Sequence, residues 1–190
     1  MPNSQRLLRS LAVVTLASST LASVPVPAFA DAAADARTAR ARRFVEDGMN
    51  VTLAACDFPS TCRHHPPLRV RQDDRDVGDN KVDHRVLAFE GMEVELVYAA
   101  DTPATPRAAR AEALRHPNVV ELTITTSKWP VAEGLRIGTP RADVERLLGN
   151  PGEADDACVT YADIDTQDDA VLCYAGEHLV AIKWSRWFDQ

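Results

Sequence analysis

The chain is poor in basic charge. Its 190 residues hold 21 Lys and Arg against 28 Asp and Glu, a formal net charge of −7. Positions 1–30 contain Arg6 and Arg9 and no acid; without them 19 basic residues face the same 28 acids, a net −9. Duplex nucleic acid and anionic membrane surfaces both require a basic face, so neither is an expected partner. Long apolar runs are also scarce: beyond the N-terminus no segment is long enough to span a bilayer as a helix. Motifs for chemistry are missing as well. Gly134–Pro140 lacks the strand and lysine context of a phosphate loop. Ser60, Ser127 and Ser185 sit in no nucleophile elbow, and Ser127-Lys128 lacks the Ser-x-x-Lys spacing. The polar run Gln72–Lys81 lacks the acid spacing and glycine placement of a calcium loop, and is expected to be a solvated loop.

What is present begins with an export pattern. Met1–Ser10 carries two arginines, Leu11–Val26 is apolar or small, and Ala28-Phe29-Ala30 precedes Asp31. A basic start, a short apolar run and a small-x-small site predict a signal peptide over 1–30, cleaved at Ala30/Asp31. The run is too short and too rich in Ser and Thr for a comfortable membrane span. No cysteine near position 30 offers a lipid-attachment site, and Arg6 and Arg9 are not adjacent as a twin-arginine signal requires. The expected location is the periplasm or the exterior.

All four cysteines, Cys56, Cys62, Cys158 and Cys173, follow that site. An even count in an oxidising compartment predicts two disulfides, of three possible pairings. The local pair Cys56–Cys62 would contribute roughly 2 kcal/mol and Cys158–Cys173 about 3 kcal/mol by loop entropy. Cys56, Cys62, His64 and His65 form an alternative thiolate–imidazole set, but their spacing fits no common zinc pattern, so no metal is expected.

The Ala- and Arg-rich stretch 31–48 predicts a helix or tail ending at Gly48, its Arg37, Arg40, Arg42 and Arg43 forming a solvated face. Asn50–Cys56 reads as strand-like or irregular, followed by a Pro-rich loop. Val82–Ala99 predicts a hairpin about Glu90-Gly91, with Met92, Val94 and Leu96 alternating against Glu93 and Glu95. Arg107–Arg115 reads as a short helix and Asn118–Ser127 as a strand. The segment Gly134–Pro151 predicts a helix capped by Thr139, started by Pro140, presenting Val144, Leu147 and Leu148 on one face, and stopped by Gly149 and Pro151. Strands follow at 158–164, 170–175 and 179–185, with a two-residue turn at Gly176-Glu177. That turn sets Cys173 opposite Val180 and Val171 opposite Ile182. A Cys158–Cys173 cross-strand pair then sets Thr160 opposite Val171. One face would carry Cys158, Val171, Cys173, Val180, Ile182 and Trp184 against the helix.

The run Gly134, Ile137-Gly138-Thr139, Val144, Leu147-Leu148-Gly149, Pro151 and Tyr161, entering a meander, resembles the SmpA/OmlA module of barrel-assembly accessory lipoproteins and the repeat of beta-lactamase inhibitor protein. The resemblance is confined to the C-terminal part, 134–190. It implies a short helix-turn unit packed on a small antiparallel sheet, and a non-catalytic binding or assembly role.

Glu153, Asp155, Asp156, Asp163, Asp165, Asp168 and Asp169 form a run with no basic residue between its ends, which reads as a solvated edge or, with Asp165, Asp168 and Asp169, as a contact for a basic partner. Trp184 is expected in the core; Trp187 and Phe188 follow the alternating strand and are candidate partner anchors. The expected molecule is therefore an α+β domain, 49–190, with an antiparallel sheet of about five or six short strands, one capped helix on it and an accessory N-terminal helix. Its expected role is non-catalytic protein binding in the envelope, without catalytic residues or cofactor. An inhibitor or immunity protein against an exported hydrolase is the second expectation; a small hydrolase using His64 or His65 is the third.

Overall fold

The computed structural model of the chain describes residues 28–55, 65–77, 80–98, 117–155 and 157–187. The signal segment before Ala28, Cys56, Cys62, His64, the 107–115 helix, Asp156 and Phe188 lie outside the described residues.

Helix α1 runs over Ala28–Ala54. It passes straight through Gly48 and takes in most of the stretch 50–56 expected as strand-like or irregular. The reason is a continuous apolar stripe: Phe44, Val45, Met49 and Leu53 are all buried, at helical spacing. The first half of α1, by contrast, is exposed from residue 32 to residue 39.

Among the described residues, eight strands form one antiparallel sheet: β1 (Arg69–Val77), β2 (Asn80–Phe89), β3 (Met92–Tyr98), β4 (Asn118–Ile124), β5 (Glu153–Ala154), β6 (Cys158–Ala162), β7 (Asp169–Ala175) and β8 (His178–Ser185). Their spatial order is β1-β2-β3-β4-β8-β7-β6-β5. The α+β class is as expected, but the sheet is wider than five or six strands. The additional strands are β1 and the two-residue β5, and β1 comes from polar sequence. The stretch expected as a solvated loop, 72–81, is mostly the end of β1 and the start of β2, which pair from Arg69↔Ala88 onward. A strand at a sheet edge needs no apolar alternation, so its sequence looks like loop. The β2–β3 hairpin behaves as its alternation predicts: Met92, Val94, Leu96 and Tyr98 are buried, and the turn is made at Glu90-Gly91. Gly91 has φ of 70°, and a Cβ there would collide with the Thr126 side chain.

Helix α2 (Arg141–Leu148) buries Val144 and Leu148 with Leu147 packed beside them, and ends at Gly149, φ 83°. Its start differs from expectation. Thr139 does not cap it: its hydroxyl accepts the Arg136 N–H at 3.1 Å, closing a turn. The N-cap position is Pro140, whose carbonyl accepts the Asp143 and Val144 amides. The chain entering α2 is tied instead to the β7–β8 turn, with Leu179 N–H on Thr139 O at 3.0 Å and Arg141 N–H on Glu177 O at 2.8 Å.

The meander register is half as expected. Cys158↔Cys173 and Thr160↔Val171 pair, and the Cys158–Cys173 disulfide is formed. Tyr174↔Leu179 also follows from the two-residue turn. Beyond it Val180 is skipped: Cys173 meets Ala181, and Val171 meets Lys183, where Val180 and Ile182 were expected. The cause is visible in the sequence once the core is known. Leu179, Ile182 and Trp184 are all buried, and strict alternation cannot put an odd and two even positions on one face. One extra residue restores the parity. The face packed under the helices is therefore Val159, Tyr161, Ala170, Leu172, Tyr174, Leu179, Ile182 and Trp184. The disulfide and Val171 lie on the opposite face, half-buried, and Val180 is exposed.

One core unites α1, α2 and both halves of the sheet. Trp184 sits at its centre. Its indole Nε1–H donates to the Phe44 carbonyl at 3.0 Å, and its ring lies 5.4 Å from that of Phe44.

Candidate functional site

The first half of α1 stands away from the end of the sheet where β5 and β6 lie, and a cleft of about 1040 Å³ opens between them. One wall is Ala34, Arg37, Thr38 and Ala41 of α1; the other is Thr160–Asp165 and Asp169; the Leu148–Asn150 end of α2 contributes the floor. Tyr161 reaches across that floor: its hydroxyl donates to Gly149 O at 2.9 Å, and burial pushes its pKa up. Nearby, burial pushes the Tyr174 hydroxyl up to about 12, against the pull of Arg141.

The lip of the cleft is the β6–β7 turn. It is built by its own acids. Asp163 N–H donates to Asp168 O, Gln167 N–H to Asp163 O, and Asp165 N–H to Asp163 Oδ1, each at 2.9 Å. Gln167 takes φ of 58° to close it. One guanidinium then joins turn to helix. Arg42 lies 2.8 Å from Glu46 Oε1, 3.0 Å from Asp165 Oδ2 and 3.4 Å from Asp163 Oδ2. Asp163 is buried, with its side chain 5% exposed. Burial alone would raise its pKa, but the Asp165 amide, then Glu46, Arg42 and Thr166, together hold it below the usual carboxylate value.

On the far side of the turn, Asp168 Oδ1 accepts the Trp187 N–H at 3.2 Å. Arg186 donates to Glu46 O at 3.0 Å and to Asn50 Oδ1 at 3.1 Å. The turn is thus fixed from both sides, and two large apolar side chains are displayed beside it: Ile164, 92% exposed, and Trp187, 63% exposed.

The structure brings Asp165 and Asp169 together at the cleft, and sets Asp168 and Trp187 next to them. Asp155 lies apart, accepting the Ala157 and Cys158 amides. His65 packs edge-on against the buried Trp129, 5.1 Å between centroids. Arg42 and Arg43 are exposed, as a solvated face requires, and both also join ion pairs, Arg43 with Glu133 at 3.8 Å. Arg42, Glu46, Tyr161 and Ile164 escape a reading that treats each charge cluster separately. The sequence holds one block of bases and one of acids, but nothing in it sets Arg42 against the β6–β7 turn. Among the described residues, no cluster of three or more His, Cys, Asp or Glu is arranged to hold a metal ion, and no helix is long and apolar enough to cross a membrane.

No known family matches the chain, and no curated protein matches it. Among solved structures it is similar to that of the uncharacterized protein yfeY from Escherichia coli, at 17% identity and a TM-score of 0.34, covering 62% of this chain and 82% of that one. A likeness of that strength carries no argument about function.

Proposed function

We propose that this is an exported, non-catalytic domain that binds another protein through the β6–β7 turn, in an envelope assembly or accessory role. The observation that carries the reading is the pairing of Ile164 and Trp187, exposed, with a turn that hydrogen bonds hold in one conformation. Large apolar side chains on a pre-organised surface are the anchors protein interfaces use, because little ordering entropy is lost on binding. The disulfide is compatible with export, since such bonds persist in oxidising compartments. The second reading, an inhibitor of an exported hydrolase with a basic cleft, draws on the same acidic turn. It has less support, because Arg42 and Arg186 already face Asp163, Asp165 and Asp168.

The test is capture from envelope extract of the producing cell, followed by rebinding of the purified partner to wild-type protein and to Ile164→Ala and Trp187→Ala. Loss of about 2 kcal/mol in either variant is expected for an anchor. Equal binding by all three, or no partner from oxidised and folded protein, would overturn the reading.

A further inference from the structure

The cleft behind the turn has an open strand edge in its wall. β5 pairs with β6 only at Glu153↔Thr160 and Ala154↔Val159. Continued two places, that register would set Pro151 opposite Ala162, and proline has no N–H to extend a ladder. The direction of the β6 backbone follows from its neighbours. Thr160 O accepts Gly152 N–H and Cys158 O accepts Asp155 N–H, both toward β5, while Asp163 N–H turns the other way, to Asp168 O. Alternation then aims the N–H and C=O of Ala162 at the β5 side, past the point where β5 ends. Ala162 is exposed there and lines the cleft.

The charge of the lining is unbalanced. Glu153, Asp163, Asp165 and Asp169 face Arg37 and Arg42, leaving two negative charges in excess. Asp169 Oδ1 is buried without a hydrogen-bond partner. A buried acceptor in that state gains from a donor brought by a ligand.

We propose that the cleft receives an extended segment of a partner protein, which adds a short strand to β6 at Ala162 and sets a Lys or Arg side chain against Asp169. Strand addition supplies main-chain hydrogen bonds, and the cation supplies selectivity. The inference rests on the binding reading above and names the partner's chemistry.

The test is selection of displayed random short peptides against the oxidised, full-length protein, with affinities of the enriched peptides measured on synthetic copies. The expected result is enrichment of Lys- or Arg-bearing sequences. Asp169→Asn is expected to weaken them by about tenfold or more. A copy of the peptide N-methylated at the pairing nitrogen should lose a similar factor, and it leaves the protein untouched. Ala162→Pro, which deletes the edge N–H, is the matching protein variant. No enrichment, enrichment of acidic or wholly apolar peptides, or indifference to N-methylation would overturn the proposal. A Trp187-dependent protein partner found alongside any of these would leave the binding reading standing, so the two fail separately.

Discussion

Gly48→Ala should destabilise this protein, against the usual effect of that exchange. Alanine for glycine inside a helix normally adds about 1 kcal/mol, and Gly48 lies well inside α1. A Cβ at 48, however, would stand 2.5 Å from Trp184 Nε1, 2.8 Å from Cε2 and 2.9 Å from Cζ2. The indole has no free direction to retreat: it is 1% exposed, packed on Phe44 and bonded to the Phe44 carbonyl. Overpacking a core position costs about 1–3 kcal/mol, and weakening a buried hydrogen bond adds about 1 kcal/mol. Set against the helix gain, a net loss of about 1–3 kcal/mol is expected, or about 2–4 °C in Tm for each kcal/mol in a domain of this size. Urea unfolding followed by tryptophan fluorescence, with the disulfide intact, measures it. Thr38→Ala, on the exposed half of the same helix, reports helix propensity without the collision. A Gly48→Ala protein as stable as wild type would refute the close-packing account.

Other outcomes follow from the same geometry. Replacing Cys158 and Cys173 with alanine should cost about 3 kcal/mol for a loop of this length, read as a lower urea midpoint under oxidising conditions; an unshifted midpoint would sink the loop-entropy estimate. His84 is buried between Asp73, 2.6 Å from Nδ1, and Glu95, 2.5 Å from Nε2, and so ties β1, β2 and β3 together. His84→Ala should speed hydrogen exchange at the Arg69–Asp73 amides well before it affects β7 and β8. Equal protection across the sheet would count against it. Asp163 titrates below the usual carboxylate value in the folded chain, so the unfolded chain takes up its proton first. Its contribution to stability is therefore complete above the ordinary carboxylate value and is lost as pH falls through the folded one. Asp163→Asn should flatten the fall in urea midpoint between about pH 5 and about pH 3; an unchanged acid slope would exclude Asp163 as its source.

Some of this fold can be read directly from the sequence. Met92, Val94 and Leu96 alternate cleanly because one face of β3 meets the core. Val144, Leu147 and Leu148, closed by Gly149, fix α2 because every local preference agrees. Elsewhere the deciding interaction is distant in sequence. Gly48 looks like a helix stop, and only the Trp184 indole beside it explains a glycine in mid-helix. Val180 looks like a core position until Leu179, Ile182 and Trp184 are seen to need the same face. Thr139 has the composition of a cap, yet its hydroxyl is taken by Arg136. The acidic positions of the candidate site were legible as a charge block. The partner that organises them, Arg42, was not, because composition does not say that α1 lies across the β6–β7 turn.

The two halves of the molecule depend on a single seam, β8. β1–β4 and β5–β8 are each built from neighbouring strands, and β8 alone joins the two halves, through Leu122↔Trp184 and Ile124↔Ile182. The same strand and the residue after it hold α1, through Trp184 and Arg186. That strand is the keystone in the middle of the sheet. Without it β4 and β7 would each present an unpaired edge, and α1 would lose its bonds to Trp184 and to the residue after the strand. Substitutions that weaken β8 should therefore loosen both half-sheets and the helix together.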